Sequence, residues 1–107
     1  MFTKNSSDDY KEPMPGIKLK TLCNGEKTLM AEFILKAGNE LPIHTHPHEQ
    51  TGYLVMGHIR LNIDGKAYDV KTGDSWCIPG NVEHGAKILE NSVAVEVFSP
   101  VREDLLP

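Results

Sequence analysis

Three of the five histidines in the chain fall within one short stretch, at His44, His46 and His48. On a strand, side chains at i and i+2 face the same side, roughly 6–7 Å apart by backbone rise. His44 and His46 can therefore converge on one divalent metal ion. Gln50 follows after a break at Pro47 and can supply an oxygen. Glu49 is one residue out of step, so in a regular strand it points away from that face. His48 has the right parity, but Pro47 disturbs the strand before it. The fourth donor is open among these three, and His84 has to be delivered by the fold from far along the chain. Nitrogen and oxygen donors of this kind accept Ni, Zn, Fe, Mn or Co.

Such donors need a rigid frame. The chain has 107 residues, enough for one hydrophobic core. From Ile17 onward, short apolar runs are separated by turn residues. Residues 17–22 alternate with period two and stop at Asn24-Gly25, and residues 29–35 form a second run. Residues 58–63 alternate cleanly, and Asp64-Gly65 predicts a tight hairpin into 67–70. Further strands fit 75–78, 84–89 and 93–98. No long stretch sustains a 3.6-residue apolar repeat. The pattern predicts an all-β sandwich or barrel of roughly six to ten strands with negligible helix. Residues 1–16, polar and broken by Pro13, Pro15 and Gly16, read as an N-terminal arm able to dock a strand on a neighbouring subunit. The folded domain is then 17–107.

Eleven basic against fifteen acidic residues give a net charge of -4. That balance carries no general footprint for nucleic acid or an anionic membrane surface. No window approaches ~18 uninterrupted apolar residues, so no membrane span is expected. The first residues lack the basic-then-apolar layout of a leader peptide. Cys23 and Cys77 have no CxxC spacing, and the expectation is a reduced, cytoplasmic protein with buried or idle thiols.

Gly38, His44, His46, Gln50 and Gly57 stand at the spacing of the first motif of the cupins, with Gln50 where that motif has glutamate. Gly73, Pro79 and His84 stand at the spacing of the second, with Asn81 replacing a glycine and Ile88 an asparagine. The chain thus resembles the cupins, small metal-binding jelly-roll β-barrels. The resemblance implies a single-domain barrel that holds one divalent ion through His44, His46, Gln50 and His84. The replacement of glycine by Asn81 is mild, since Asn tolerates the left-handed conformation. Three neutral imidazoles and a neutral amide leave the full +2 on the ion, which favours an anionic substrate and acidifies bound water.

The segments His84-Gly85, Leu89-Glu90 and 96–104, together with His46-Pro47-His48-Glu49-Gln50, are similar to the KdgF-type cupins. Members of that group act in pectin and alginate breakdown, converting 4,5-unsaturated monouronates to linear keto sugars. The resemblance implies catalytic roles for Glu96 and Arg102, and substrate contact for Phe98 and Arg102. Glu96 is one methylene longer than the aspartate of that group.

The residues themselves are compatible with this. Val93, Val95 and Val97 share one strand face, and Ala94, Glu96 and Phe98 the other. With the valines outward, Glu96 and Phe98 line the barrel; with the valines in the core, Glu96 faces water. A carboxylate inside an apolar barrel near a metal suits acid–base work, because burial raises its pKa while the cation opposes that. Arg102 suits a uronate carboxylate, or pairs at the surface with Glu103 or Asp104. Trp76 and Tyr68 read as packing residues, and His58 as structural.

Three function classes follow. The first is a metal-dependent enzyme opening or isomerising a small anionic sugar. The second is a dioxygenase of the quercetinase sort, which Gln50 disfavours because a neutral site is less suited to an oxidised metal. The third is a non-catalytic metal- or sugar-binding module. A homodimer is expected, since a lone sandwich with an apolar outer face leaves a patch exposed.

Overall fold

The computed structural model describes residues 1–106. Ten strands follow one another: β1 (Lys11–Met14), β2 (Ile17–Asn24), β3 (Leu29–Leu35), β4 (Glu40–His44), β5 (Glu49–Met56), β6 (His58–Ile63), β7 (Lys66–Lys71), β8 (Ser75–Ile78), β9 (His84–Ile88) and β10 (Ser92–Ser99). The one helical element among the described residues is a single 3-10 turn at Glu103–Leu105. No helix there is long and apolar enough to cross a membrane. The strands form two antiparallel sheets, one ordered β1-β2-β3-β10-β5-β8 and the other β4-β9-β6-β7. This is the all-β architecture expected from the strand spacing, in the form of the jelly-roll barrel that the resemblance implies.

Period-two alternation builds the interior. Leu29, Ala31, Phe33 and Leu35 of β3, and Ala94 and Phe98 of β10, are buried from one sheet. Ile59 and Leu61 of β6, with Ala86 and Ile88 of β9, meet them from the other. Asp64 and Gly65 both take positive φ, 52° and 79°, as a two-residue hairpin turn with the strand twist requires. Ile63 and Lys66 flank it in register.

Three features differ from the sequence reading. Lys11–Met14, within the arm, pairs with β2 of its own chain, Met14 opposite Ile17. β4 and β5 were not legible as strands: β4 is largely exposed and carries Pro42, and β5 alternates through the polar Gln50 and Gly52. His44 and His46 also do not share a strand. His44 ends β4, and His46 lies in the connection to β5.

Candidate active site

His44 is the register partner of His84, the first residue of β9, and their ring centroids are 4.3 Å apart. His46 comes to them from the β4–β5 connection, 5.8 Å from His44 and 4.8 Å from His84. That connection is pinned to the β8–β9 loop. The Asn81 N–H donates to the His46 carbonyl at 2.8 Å, with Asn81 at φ 65°, a left-handed conformation that Asn adopts more readily than most residues. At Gly80 an added Cβ would sit 2.4 Å from the Pro47 carbonyl oxygen, so only glycine permits so close an approach.

One ring nitrogen from each of His44, His46 and His84 lies within 4.8 Å of the others. Each Nδ1–H donates to a backbone carbonyl: His44 to Pro42 at 2.8 Å, His46 to His48 at 3.0 Å, His84 to Val82 at 2.8 Å. A carbonyl can only accept, so this contact places the Nδ1–H tautomer in each ring and leaves Nε2 as the nitrogen free to coordinate, the arrangement common among metal-binding imidazoles. The His84 Nε2 is buried and finds no hydrogen-bond partner among the described residues.

The His46 Nε2 lies 3.0 Å from Gln50 Oε1. Gln50 is oriented by its own amide nitrogen, which donates to Glu96 Oε1. Burial, then the charges of Arg102 and His84, hold the His46 imidazole below its ordinary range. Burial does the same for His84. Two lone pairs, on a neutral ring and an amide oxygen, thus face each other, and a cation held by both satisfies them. The donor set fits a divalent ion that accepts nitrogen and oxygen. Glu49 is exposed on the other face of β5. The His48 ring lies 5.6 Å from that of His46, outside the three-histidine group.

Glu96 points inward from β10 and is 7 % exposed, with Val93, Val95 and Val97 on the outer face. Burial drives its carboxyl above the usual range, while the bonds from Gln50 and Trp76 and the charge of Arg102 oppose that rise. Phe98 is buried with its ring 5.8 Å from His46. The Arg102 guanidinium lies 4.9 Å above the Phe98 ring. Arg102 lines the cavity and makes the pairing with Asp104 that the sequence offered, donating through Nε and Nη2 at 3.2 and 2.7 Å. His44, Gln50, His84, Glu96, Phe98 and Arg102 all line this one cavity.

Trp76 packs against the core as expected, and its Nε1–H also donates to Glu96 Oε1 at 3.0 Å. The signal available in the sequence was a donor-only indole on the strand expected at 75–78. Tyr68, expected to pack, is instead 43 % exposed with the Lys66 ammonium over its ring. His58 pairs with Asp69 at 3.1 Å. Cys23 and Cys77 are exposed, free thiols.

Residues 31–100 match the family model described as Cupin domain. The chain is 32 % identical over 99 residues to the pectin degradation protein KdgF of Dickeya dadantii (strain 3937), across 91 % of this chain and 90 % of that protein. It is 27 % identical to the H2HPP isomerase of Bacillus subtilis over 94 % of this chain, but spans only 46 % of that protein. Among solved structures, KdgF from Halomonas sp. superposes with a TM-score of 0.92 at 30 % identity, over 99 % of this chain and 98 % of the other. An RmlC-like cupin from Shewanella frigidimarina NCIMB 400 also gives 0.92, at 28 % identity over 98 % and 95 %. With the fold, the histidine cluster and these likenesses in agreement, the chain belongs to the cupin family, and within it is similar to the KdgF proteins.

Proposed function

We propose that the protein is a metal-dependent isomerase that opens 4,5-unsaturated uronates to linear keto sugars. The observation that carries this reading is the contact between Gln50 and Glu96, which sets a buried carboxylate directly against the nitrogen and oxygen donors. His44, His46, Gln50 and His84 would hold one divalent ion, which supplies Lewis-acid polarisation and an acidified water when bound. Similarity to a pectin degradation protein supports a uronate as the substrate class.

The residues of the chain divide the remaining work. Arg102 offers a planar, charge-assisted site for the uronate carboxylate, above the apolar surface of Phe98. Glu96 takes the proton of the anomeric hydroxyl as the ring C–O bond breaks, leaving an aldehyde and an enolate. It then returns that same proton to the enolate carbon, so a ketone forms and the reaction is a net isomerisation. A carboxylate whose proton affinity is raised by burial is suited to both transfers. The apolar side chains of Phe33, Leu61 and Phe98 keep bulk water from that proton.

Exposed Met30, Ile34, Tyr53 and Val55 on the outer face of the six-stranded sheet support a homodimer. Two unpaired thiols support a reducing, cytoplasmic setting. We take 17–107 as the working unit and 1–16 as its arm. The test is incubation of metal-replete protein with unsaturated galacturonate, following its ultraviolet absorbance or its ring-proton NMR signals. Loss of both signals in proportion to enzyme is expected. An unchanged substrate with metal bound overturns the uronate reading.

A further inference from the structure

We propose that Trp76 is the positioning residue for Glu96, and that Gly52 is the gap through which it reaches. The inference rests on the reading of Glu96 as the proton carrier. Trp76 on β8 is the register partner of Gly52 on β5, and Gly52 is the partner of Glu96 on β10. The three residues form one row across three strands. Neighbouring strands lie about 4.8 Å apart, so Trp76 and Glu96 are separated by about twice that, with a residue in between.

Contact across that row requires the middle residue to have no side chain. A Cβ added to Gly52 would sit 2.2 Å from Trp76 Cε2, 2.3 Å from Nε1 and 2.4 Å from Cζ2. Gly52 is absent from the glycines with positive φ, so its backbone does not call for glycine. The indole does. It lies over the Gly52 backbone and delivers Nε1–H to Glu96 Oε1 at 3.0 Å.

Gln50 donates to the same oxygen. Two donors therefore converge on Oε1 and hold it, leaving Oε2 as the oxygen that exchanges a proton with a molecule in the cavity. The indole has no acceptor and cannot itself carry the proton. Gln50 is tied to the histidine cluster, so the Trp76 contact is the arm of this clamp that does not depend on metal.

The chain contains one tryptophan, which gives a single indole N–H resonance in 15N-labelled, zinc-loaded protein. That resonance should lie downfield and move upfield in Glu96→Gln, where a neutral oxygen replaces the carboxylate. Trp76→Phe keeps an aromatic ring but removes the donor. It should lower kcat on unsaturated galacturonate by about 10–100-fold, as loss of an outer partner does, with KM and zinc content unchanged. Gly52→Ala should lower kcat in the same way and shift the indole resonance. An indole signal indifferent to Glu96→Gln, or a Trp76→Phe variant with wild-type kcat, overturns the inference. Where wild type itself leaves the uronate untouched, the uronate reading alone falls, and the indole resonance still decides whether Trp76 holds Glu96.

Discussion

Replacing Glu96 by glutamine separates proton transfer from shape. Both hydrogen bonds to this side chain, from Gln50 and from Trp76, fall on Oε1. The amide of the variant must therefore keep its oxygen at that position and turn its NH2 group into the place of Oε2. Packing is unchanged, and only the capacity to take and return a proton is lost. A positioned acid or base is worth about 10²–10⁴-fold, which at 1.36 kcal/mol per ten-fold is roughly 3–5 kcal/mol of barrier. Initial rates on unsaturated galacturonate at saturating substrate should fall by that factor, while metal per chain stays as in wild type. Glu96→Asp, which retains a carboxylate, should keep activity. The same variant alters the pH dependence of stability. Burial raises the Glu96 carboxyl above its usual 4.5, so the folded chain holds a proton that the unfolded chain has released. In chelator-treated protein, urea stability should therefore decline as pH rises above the ordinary carboxylate range, and Glu96→Gln should remove that decline. A Glu96→Gln enzyme with wild-type kcat and full metal content would refute the reasoning.

Purified protein should carry about one divalent ion per chain by elemental analysis. His44→Ala and His84→Ala should lose it, and Gln50→Ala should weaken it less, since an amide oxygen is the weakest of the four donors; equal metal in all variants would contradict the assignment. Arg102→Ala should act mainly on KM, raising it by an amount equivalent to about 1.5–3 kcal/mol for a lost charge-assisted contact, and an unchanged KM would remove Arg102 from substrate binding. Sedimentation at micromolar concentration should report twice the chain mass, and Tyr53→Lys on the exposed sheet face should lower it; a single-chain mass for wild type would exclude the dimer.

Much of the frame is written in local chemistry. Alternation along 29–35 and 93–98 needs only the two-fold repeat of a strand, and it groups Ala94, Glu96 and Phe98 on one face, which the structure turns inward. Asp64-Gly65 announces its turn because both residues tolerate positive φ. The histidine spacing, together with Gly38, Gly57, Gly73 and Pro79, was enough to identify the cupin fold. What local pattern could not supply is register, the choice of which residue of one strand faces which residue of another. That choice minimises exposed apolar surface over both sheets at once, so it is a property of the whole chain. Register puts His44 opposite His84 and ranks Trp76, Gly52 and Glu96 in one row. The route of His46 off the strand and into a loop pinned by Asn81 is likewise tertiary, because the loop packs against a segment far away in sequence. The residue types of the site could therefore be read from the sequence, while their meeting depended on how two sheets close on a shared interior.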